Sequence, residues 1–270
     1  MIRTDDELEE FRKFAVGLAK DAGAFALAEL DTGLHIDHKG SPADVVTHVD
    51  IESERRIVSA IQTHYPGHAI LAEESGHHEG TDTEFSWLVD PLDGTNNYAL
   101  GIPLFGVCLT VCKHGIPVVA IVHDSVRGRT ISAIAGRGAR DDDGPLRIGD
   151  PPNLAGATVS WVQGYGVDYD DPFRKESCEL LERHAKRMIR TWSPSIDWGL
   201  LARGEISALV AYRNEPWDLL GGLLIAREAG AVSVVTDDCV VVGFAETVSD
   251  LTVMLSIDRR SVTHVVEITT

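Results

Sequence analysis

Within WLVDPLDGTNNY, residues 87–98, Asp90 and Asp93 stand three apart around a proline, directly after an apolar run; a glycine, a threonine and two asparagines follow. Two more acids, Glu73 and Glu74 in HAILAEES, close the preceding apolar run, and Asp218 falls in the first turn of the helical segment EPWDLLGGLLIAREAG. Each acid alone has an ordinary explanation, since Asp-Gly is a common turn and an aspartate near a helix start favours the helix dipole. Brought to one point, the set repels itself unless a cation holds it. Hard oxygen ligands with no His or Cys converging on them suit magnesium, which binds through a few carboxylates, waters and a substrate phosphate. A calcium loop of the EF-hand type fails on register: with Gly94 as its sixth residue the twelfth is Leu100, where a bidentate Glu is required.

DGTNN supplies the next part. Thr95 after Gly94 is placed to cap a short helix whose free N–H groups face the acids, and such a start is a natural phosphate seat. Metal ions, a water nucleophile and backbone donors together make a hydrolytic apparatus, with no Ser, Cys or His nucleophile required. His64, His68, His77 and His78 are scattered over turn-like sequence and read as loop or surface residues rather than a zinc site.

These residues need elements to carry them. TDDELEEFRKFAVGLAKDAGAFALAEL opens with Thr4 and Glu7 at capping-box spacing and repeats Leu8, Phe11, Phe14, Leu18, Ala22 and Phe25 near helical period. A second helix is expected through Ile51, Ile57, Val58 and Ile61, and HAILAEES and FSWLVDP read as short strands ending in acids. From Phe105 to about Ile134, three β-branched runs separated by His114-Gly115 and Arg127-Gly128 predict an antiparallel meander. GRGARDDDGPLRIGDPPNLAG is the expected boundary. It divides the chain into an α+β part over residues 1–150, carrying the metal and phosphate site, and an α/β part over residues 151–270 that completes the pocket. The second part alternates: strand TVSWV, a helix from Pro172, a strand near Arg187, a helix from Ser195 to Ala202, strand ISALVAY, helix EPWDLLGGLLIAREAG, then strands AVSVV and LTVMLSI.

The chain has 270 residues with 44% hydrophobic content, enough for a sizeable core. Its 24 Lys and Arg against 42 Asp and Glu leave a formal charge of −18, which argues against a nucleic-acid or anionic-membrane partner. If the substrate is anionic, the positive charge has to be borrowed, most simply from a metal. The acidic N-terminus lacks the order of a signal peptide, and no apolar run approaches the roughly 20 residues of a membrane span, so a cytoplasmic protein is expected. Cys108, Cys112, Cys178 and Cys239 have neither disulfide nor zinc spacing and read as free thiols.

WLVDPLDGTNNY, with LAEES, KGSPADVVTHVD and EPWDLLGGLLIAREAG, resembles the inositol monophosphatase family of magnesium-dependent, lithium-sensitive phosphatases over nearly the whole chain. The resemblance implies an αβαβα sandwich of the inositol monophosphatase and fructose-1,6-bisphosphatase type, usually a homodimer. It implies that Glu73 and Asp90, with the Leu92 carbonyl, hold a first Mg²⁺, that Asp90, Asp93 and Asp218 hold a second, and that a weaker third sits near Glu73. Asp44 and Thr95 match positions that orient and deprotonate the attacking water, which with Glu73 makes the catalytic set. Gly94, Thr95, Asp93, Ser193 and Asp218 are the implied substrate-binding residues, and Lys39 matches a basic residue at the mouth.

The expected activity is hydrolysis of a small phosphorylated alcohol or sugar, with myo-inositol 1-phosphate first and histidinol phosphate, fructose 1,6-bisphosphate and 3′-phosphoadenosine 5′-phosphate as alternatives. A non-catalytic regulatory protein with a vestigial metal site is the alternative of another class. Three departures fall where the alcohol is read. Ser193-Pro194-Ser195 replaces a Gly-Ser/Thr-Ala-Ala pattern, Ala211 stands where a polyol-gripping glutamate is common, and Leu220 replaces a small residue.

Overall fold

In the computed structural model, which describes residues 4–30, 36–38, 45–82, 84–149 and 153–257, helix α1 (Thr4–Glu29) buries Phe11, Ala15, Ala19, Ala22 and Ala26 along one stripe. A ladder β1 (Ile36–His38) with β2 (Val45–Thr47) leads into α2 (His48–His64). Thr47 caps α2 in a capping box closed by Asp50.

The first sheet contains β3 (Ala69–Ala72), β4 (Gly76–His78), β5 (Phe85–Asp93), β6 (Gly106–Lys113), β7 (Ile116–Asp124), β8 (Arg129–Ile134), β9 (Ala139–Arg140) and β10 (Pro145–Leu146), in the order β10-β9-β8-β7-β6-β5-β3-β4. Between β5 and β6 lies the short helix α3 (Thr95–Ala99). The predicted meander is β6-β7-β8, all antiparallel, while β3 and β5 run parallel.

The second half supplies β11 (Thr158–Gln163), α4 (Pro172–His184), β12 (Arg187–Ile189), α5 (Pro194–Ala202), β13 (Ala208–Tyr212), α6 (Pro216–Glu228), β14 (Val232–Val235), β15 (Cys239–Gly243) and α7 (Ala245–Met254). Its five strands form a second sheet in the order β12-β11-β13-β15-β14. Two elements differ from expectation. LTVMLSI contributes to helix α7, and the strand beside it is β15, in DDCVVVGF. Val248, Leu251 and Leu255 recur at helical spacing on a buried face, and the hairpin β14-β15 already closes that sheet edge.

Helices α1 and α2 cover one face of the first sheet, α5 and α6 fill the space between the sheets, and α4 and α7 cover the far side of the second. The result is the expected αβαβα order. Strand alternation distributes the side chains: Val107, Leu109 and Val111 face α1 and α2, whereas Cys108 points into the layer of α5 and α6. On β13, Leu209 and Ala211 enter that inner layer while Ala208 and Val210 pack towards α7. Two glycines allow the inner layer to close. A Cβ on Gly221 would lie 2.2 Å from Thr110 Oγ1, and one on Gly222 would lie 2.1 Å from the Trp198 ring. Among the described residues no helix is long and apolar enough to cross a membrane.

Candidate active site

Residues three apart on a regular strand point to opposite faces. Asp90 and Asp93 escape this because β5 slips register on β6: Asp90 pairs with Cys108, but Asp93 pairs with Gly106. The extra residue falls at Pro91-Leu92, where a proline is tolerated because the ladder is already interrupted. Both carboxylates then turn to the same side and meet Asp218 from the first turn of α6, with one ligand oxygen from each lying within 4.8 Å of the others. Trp198 fixes the start of α6 by donating its indole N–H to the Asp218 carbonyl at 2.8 Å. Glu73 follows β3, donates its amide to Val89 O at 3.0 Å, and lines the same cleft.

Burial pushes the Asp90 carboxyl well above the ordinary range, and repulsion from Glu73, Asp93 and Asp218 adds to it. Burial does the same to Asp218, reinforced by Asp93 and Glu73. Asp93 is pushed up to about 6 by burial, against hydrogen bonds from Ser195 and Ser193 that favour its charged form. Ser193 Oγ donates to Asp93 Oδ2 at 2.7 Å and the Ser195 amide donates to the same oxygen at 2.5 Å, so the start of α5 holds this carboxylate. An all-oxygen, like-charged donor set that retains protons for want of a counter-charge fits a hard divalent cation.

Helix α2 organises the other wall. Asp50, Ser53 and Glu54 are buried on one stripe with Ile57 and Ile61, and the stripe reaches each acid-bearing turn in succession. Asp50 Oδ1 accepts the Thr95 hydroxyl at 2.8 Å, Ser53 Oγ donates to Pro91 O at 3.2 Å, and Glu54 accepts the amides of Glu74 and Ser75 at 2.7 and 2.8 Å. Asp50 Oδ2 also accepts the amide and hydroxyl of Thr47, at 2.8 and 2.5 Å. The expected partner of Thr95, Asp44, lies outside the described residues, as does Lys39. Among the described residues, the carboxylate that meets Thr95 is Asp50, which apolar periodicity passed over. Its signal was the Thr-x-x-Asp capping spacing in VTHVD.

Thr95 is the first residue of α3 rather than its cap. Gly94 takes the cap position with φ of 88°, and a Cβ there would meet Leu104 O at 2.9 Å and the Ser193 side chain at 3.0 Å. The Thr95 hydroxyl also reaches Leu92 O at 3.0 Å, the carbonyl expected to assist the metal, and the Leu92 amide donates to Asp90 Oδ1 at 3.1 Å. Ser193 is fully buried, so its hydroxyl serves Asp93. Glu73, Asp90, Leu92, Asp93, Thr95, Ser193 and Asp218 border one cleft of about 350 Å³, to which β11 and the loop after it contribute Gln163 and Tyr165, the segment between β12 and α5 contributes Arg190 and Trp192, α5 contributes Asp197 and α6 contributes Trp217. Among the described residues lining it, Arg190 is the single cation. His68, by contrast, accepts the Trp87 indole N–H at 3.0 Å and stacks on Tyr65, away from any metal cluster.

The sequence profile of the inositol monophosphatase family matches residues 7–265. The Nus factor SuhB of Vibrio cholerae is 36% identical over 226 residues, which cover 83% of each chain. Among solved structures, the extragenic suppressor protein suhB from Bartonella henselae superposes with a TM-score of 0.84 at 23% identity, covering 91% of this chain and 98% of that one. The inositol monophosphatase from Anabaena superposes with a TM-score of 0.80 at 26% identity, covering 93% and 96%. With the profile matched from the first helix to beyond the last and the carboxylate cluster in place, the chain belongs to the inositol monophosphatase family.

Proposed function

We propose that the protein is a Mg²⁺-dependent phosphomonoesterase that hydrolyses a small alcohol phosphate by attack of water. The observation that carries this is the meeting of Asp90, Asp93 and Asp218 within 4.8 Å in a cleft whose wall also carries Thr95, with the buried Asp50 hydrogen-bonded behind it. Asp90, Asp93 and Asp218, with Glu73 and the Leu92 carbonyl, would hold the cations. When bound, they supply Lewis acidity and neutralise phosphate charge in an otherwise acidic cleft. The Thr95 hydroxyl, donating to Asp50, is oriented with its lone pairs free to accept a proton from water, while Asp50 takes the threonine proton in turn. Asp50 is fully buried and anchored by Thr47, so the pair keeps its orientation. The amides of Gly94 and Thr95, at the turn that begins α3 on the cleft wall, would serve as phosphate donors. Family membership further supports the expectation of two or three Mg²⁺ ions, lithium inhibition and a homodimer.

Myo-inositol 1-phosphate is the reference substrate; histidinol phosphate, fructose 1,6-bisphosphate and 3′-phosphoadenosine 5′-phosphate complete the panel. Phosphate release from these four, with and without Mg²⁺, tests the proposal, with Asp93→Asn as the control. Magnesium-dependent turnover that falls by about 100-fold or more in the variant is expected. Turnover indifferent to Mg²⁺ or to the variant would reject it. The name Nus factor, borne by the Vibrio relative, favours one second reading: a regulatory role that does not use the acids. That role would survive Asp93→Asn intact in the cell.

A further inference from the structure

Trp192 has φ of 58°, in the left-handed region that residues with a Cβ occupy only under constraint. Glycine would satisfy this backbone at no steric cost. The position instead places an indole, 38% exposed, on the wall of the same cleft that holds the carboxylates. Its conformation is imposed by both neighbours: Thr191 O accepts the Asn97 amide group at 2.7 Å, and the Ser193 amide donates to Thr191 Oγ1 at 3.2 Å.

The indole is also backed. The Arg190 guanidinium carbon lies 4.8 Å from its ring centroid, and Arg190 Nη2 donates to Gln163 Oε1 at 3.1 Å. That single oxygen also receives Trp161 Nε1 at 3.0 Å and Arg174 Nε at 2.9 Å, so the cation on the ring is held by a fully engaged acceptor. Tyr165, 45% exposed, adds a second aromatic face to the cleft, with its hydroxyl 3.3 Å from Asn96 Nδ2. Ala211, buried in the inner layer, offers nothing to a polyol hydroxyl. The cleft therefore combines an acidic floor with an aromatic, cationic wall.

We propose that Trp192 is a specificity-determining residue whose indole, stiffened by Arg190, stacks on a planar, uncharged heteroaromatic ring carried by the alcohol, so that the site prefers nucleoside monophosphates to polyol phosphates. Base–aromatic stacking accounts for roughly 10- to 100-fold in binding. A cleft of about 350 Å³ is within the range that holds a ligand of that size. The guanidinium beside the ring disfavours a cationic ring such as imidazolium. This inference rests on the phosphomonoesterase reading of the same cleft.

The test compares kcat/KM for the 2′-, 3′- and 5′-monophosphates of adenosine, myo-inositol 1-phosphate and glycerol 2-phosphate in wild type, Trp192→Gly and Trp192→Phe. Glycine suits the local φ, so the first variant removes the ring without adding backbone strain. At least one adenosine monophosphate should be preferred over both polyol phosphates. Its ratio to glycerol 2-phosphate should fall about 10- to 100-fold in Trp192→Gly, mainly through KM, and recover most of the way in Trp192→Phe. A preference for myo-inositol 1-phosphate, or an equal loss on every substrate in Trp192→Gly, would overturn the inference. Absence of magnesium-dependent release from all five would instead overturn the phosphomonoesterase reading. Stacking is then read by quenching of tryptophan fluorescence on titration with adenosine monophosphates: quenching lost in Trp192→Gly upholds it, and no quenching in wild type rejects it.

Discussion

Asp50, at zero exposure, accepts hydrogen bonds from the Thr47 amide, the Thr47 hydroxyl and the Thr95 hydroxyl. The two from Thr47 position the carboxylate, and the one from Thr95 links it to the cleft. Replacing it by Asn keeps the shape but removes the basicity, so Asp50→Asn should lower kcat by about 100-fold or more while KM moves little, a loss typical of a proton acceptor. Steady-state kinetics on the best substrate decides this, and a variant with wild-type kcat would leave Asp50 as a helix cap only. Ser193 shows the same division at another residue. Expected from the family resemblance to bind substrate, it lines the cleft and donates its hydroxyl to Asp93 Oδ2.

At the scale of elements, α2 and the α5–α6 layer determine where the acids stand. The α2 stripe of Asp50, Ser53 and Glu54 ties α3, the β5 bulge and the turn after β3 to one rigid rod. On the opposite side, α6 delivers Asp218 only because it can approach β6 and α5 closely. Glycine costs a helix interior about 1 kcal/mol relative to alanine, so two in succession weaken α6 taken alone. Their packing accounts for them: the Trp198 ring occupies the space where a Gly222 side chain would be. Gly222→Ala should therefore destabilise the fold by about 1–3 kcal/mol, despite the better helix propensity of alanine. Urea unfolding measures it, and a stabilised variant would mean that α5 and α6 separate without penalty.

For the whole molecule, the main electrostatic fact is a formal charge of −18 with several carboxyls buried at one point. Asp93 is pushed up to about 6 and Asp197 to about 7, both chiefly by burial, and Asp90 and Asp218 are raised as well. Carboxyls in the unfolded chain titrate near 4, so between about pH 4 and pH 7 the folded state holds more protons than the unfolded one. These groups therefore make the metal-free protein less stable as pH rises through that window; the contribution is most favourable at its acid end. The depressed surface carboxyls, such as Asp142 and Asp171, act at lower pH and do not mask it. A cation takes the place of the protons. Millimolar Mg²⁺ should raise Tm more at about pH 8 than at about pH 5.5. Thermal scans at the two values suffice, and equal shifts would contradict a role for the buried acids in holding the metal.

The acids, the glycine turn and most helices and strands were legible because each is written in local spacing: Asp90, Asp93 and Asp218 at element ends, alternation in β6 to β8, helical period in α1. The segment 251–257 was not, since a short apolar run has no period of its own and becomes helix or strand according to which sheet edge remains open. Two features of the site depend on contacts far apart in the chain. One is the bulge that turns Asp90 and Asp93 to one face, set by the pairing of β5 with β6. The other is the choice of Asp50 as the partner of Thr95, 45 residues away. By itself, then, the sequence determined which chemical groups were available and the elements that carry them. Which carboxylates come together, which one meets the Thr95 hydroxyl, and which rings line the cleft were decided by tertiary packing, because hydrogen-bond and Coulomb terms act over a few ångströms of space irrespective of separation along the chain.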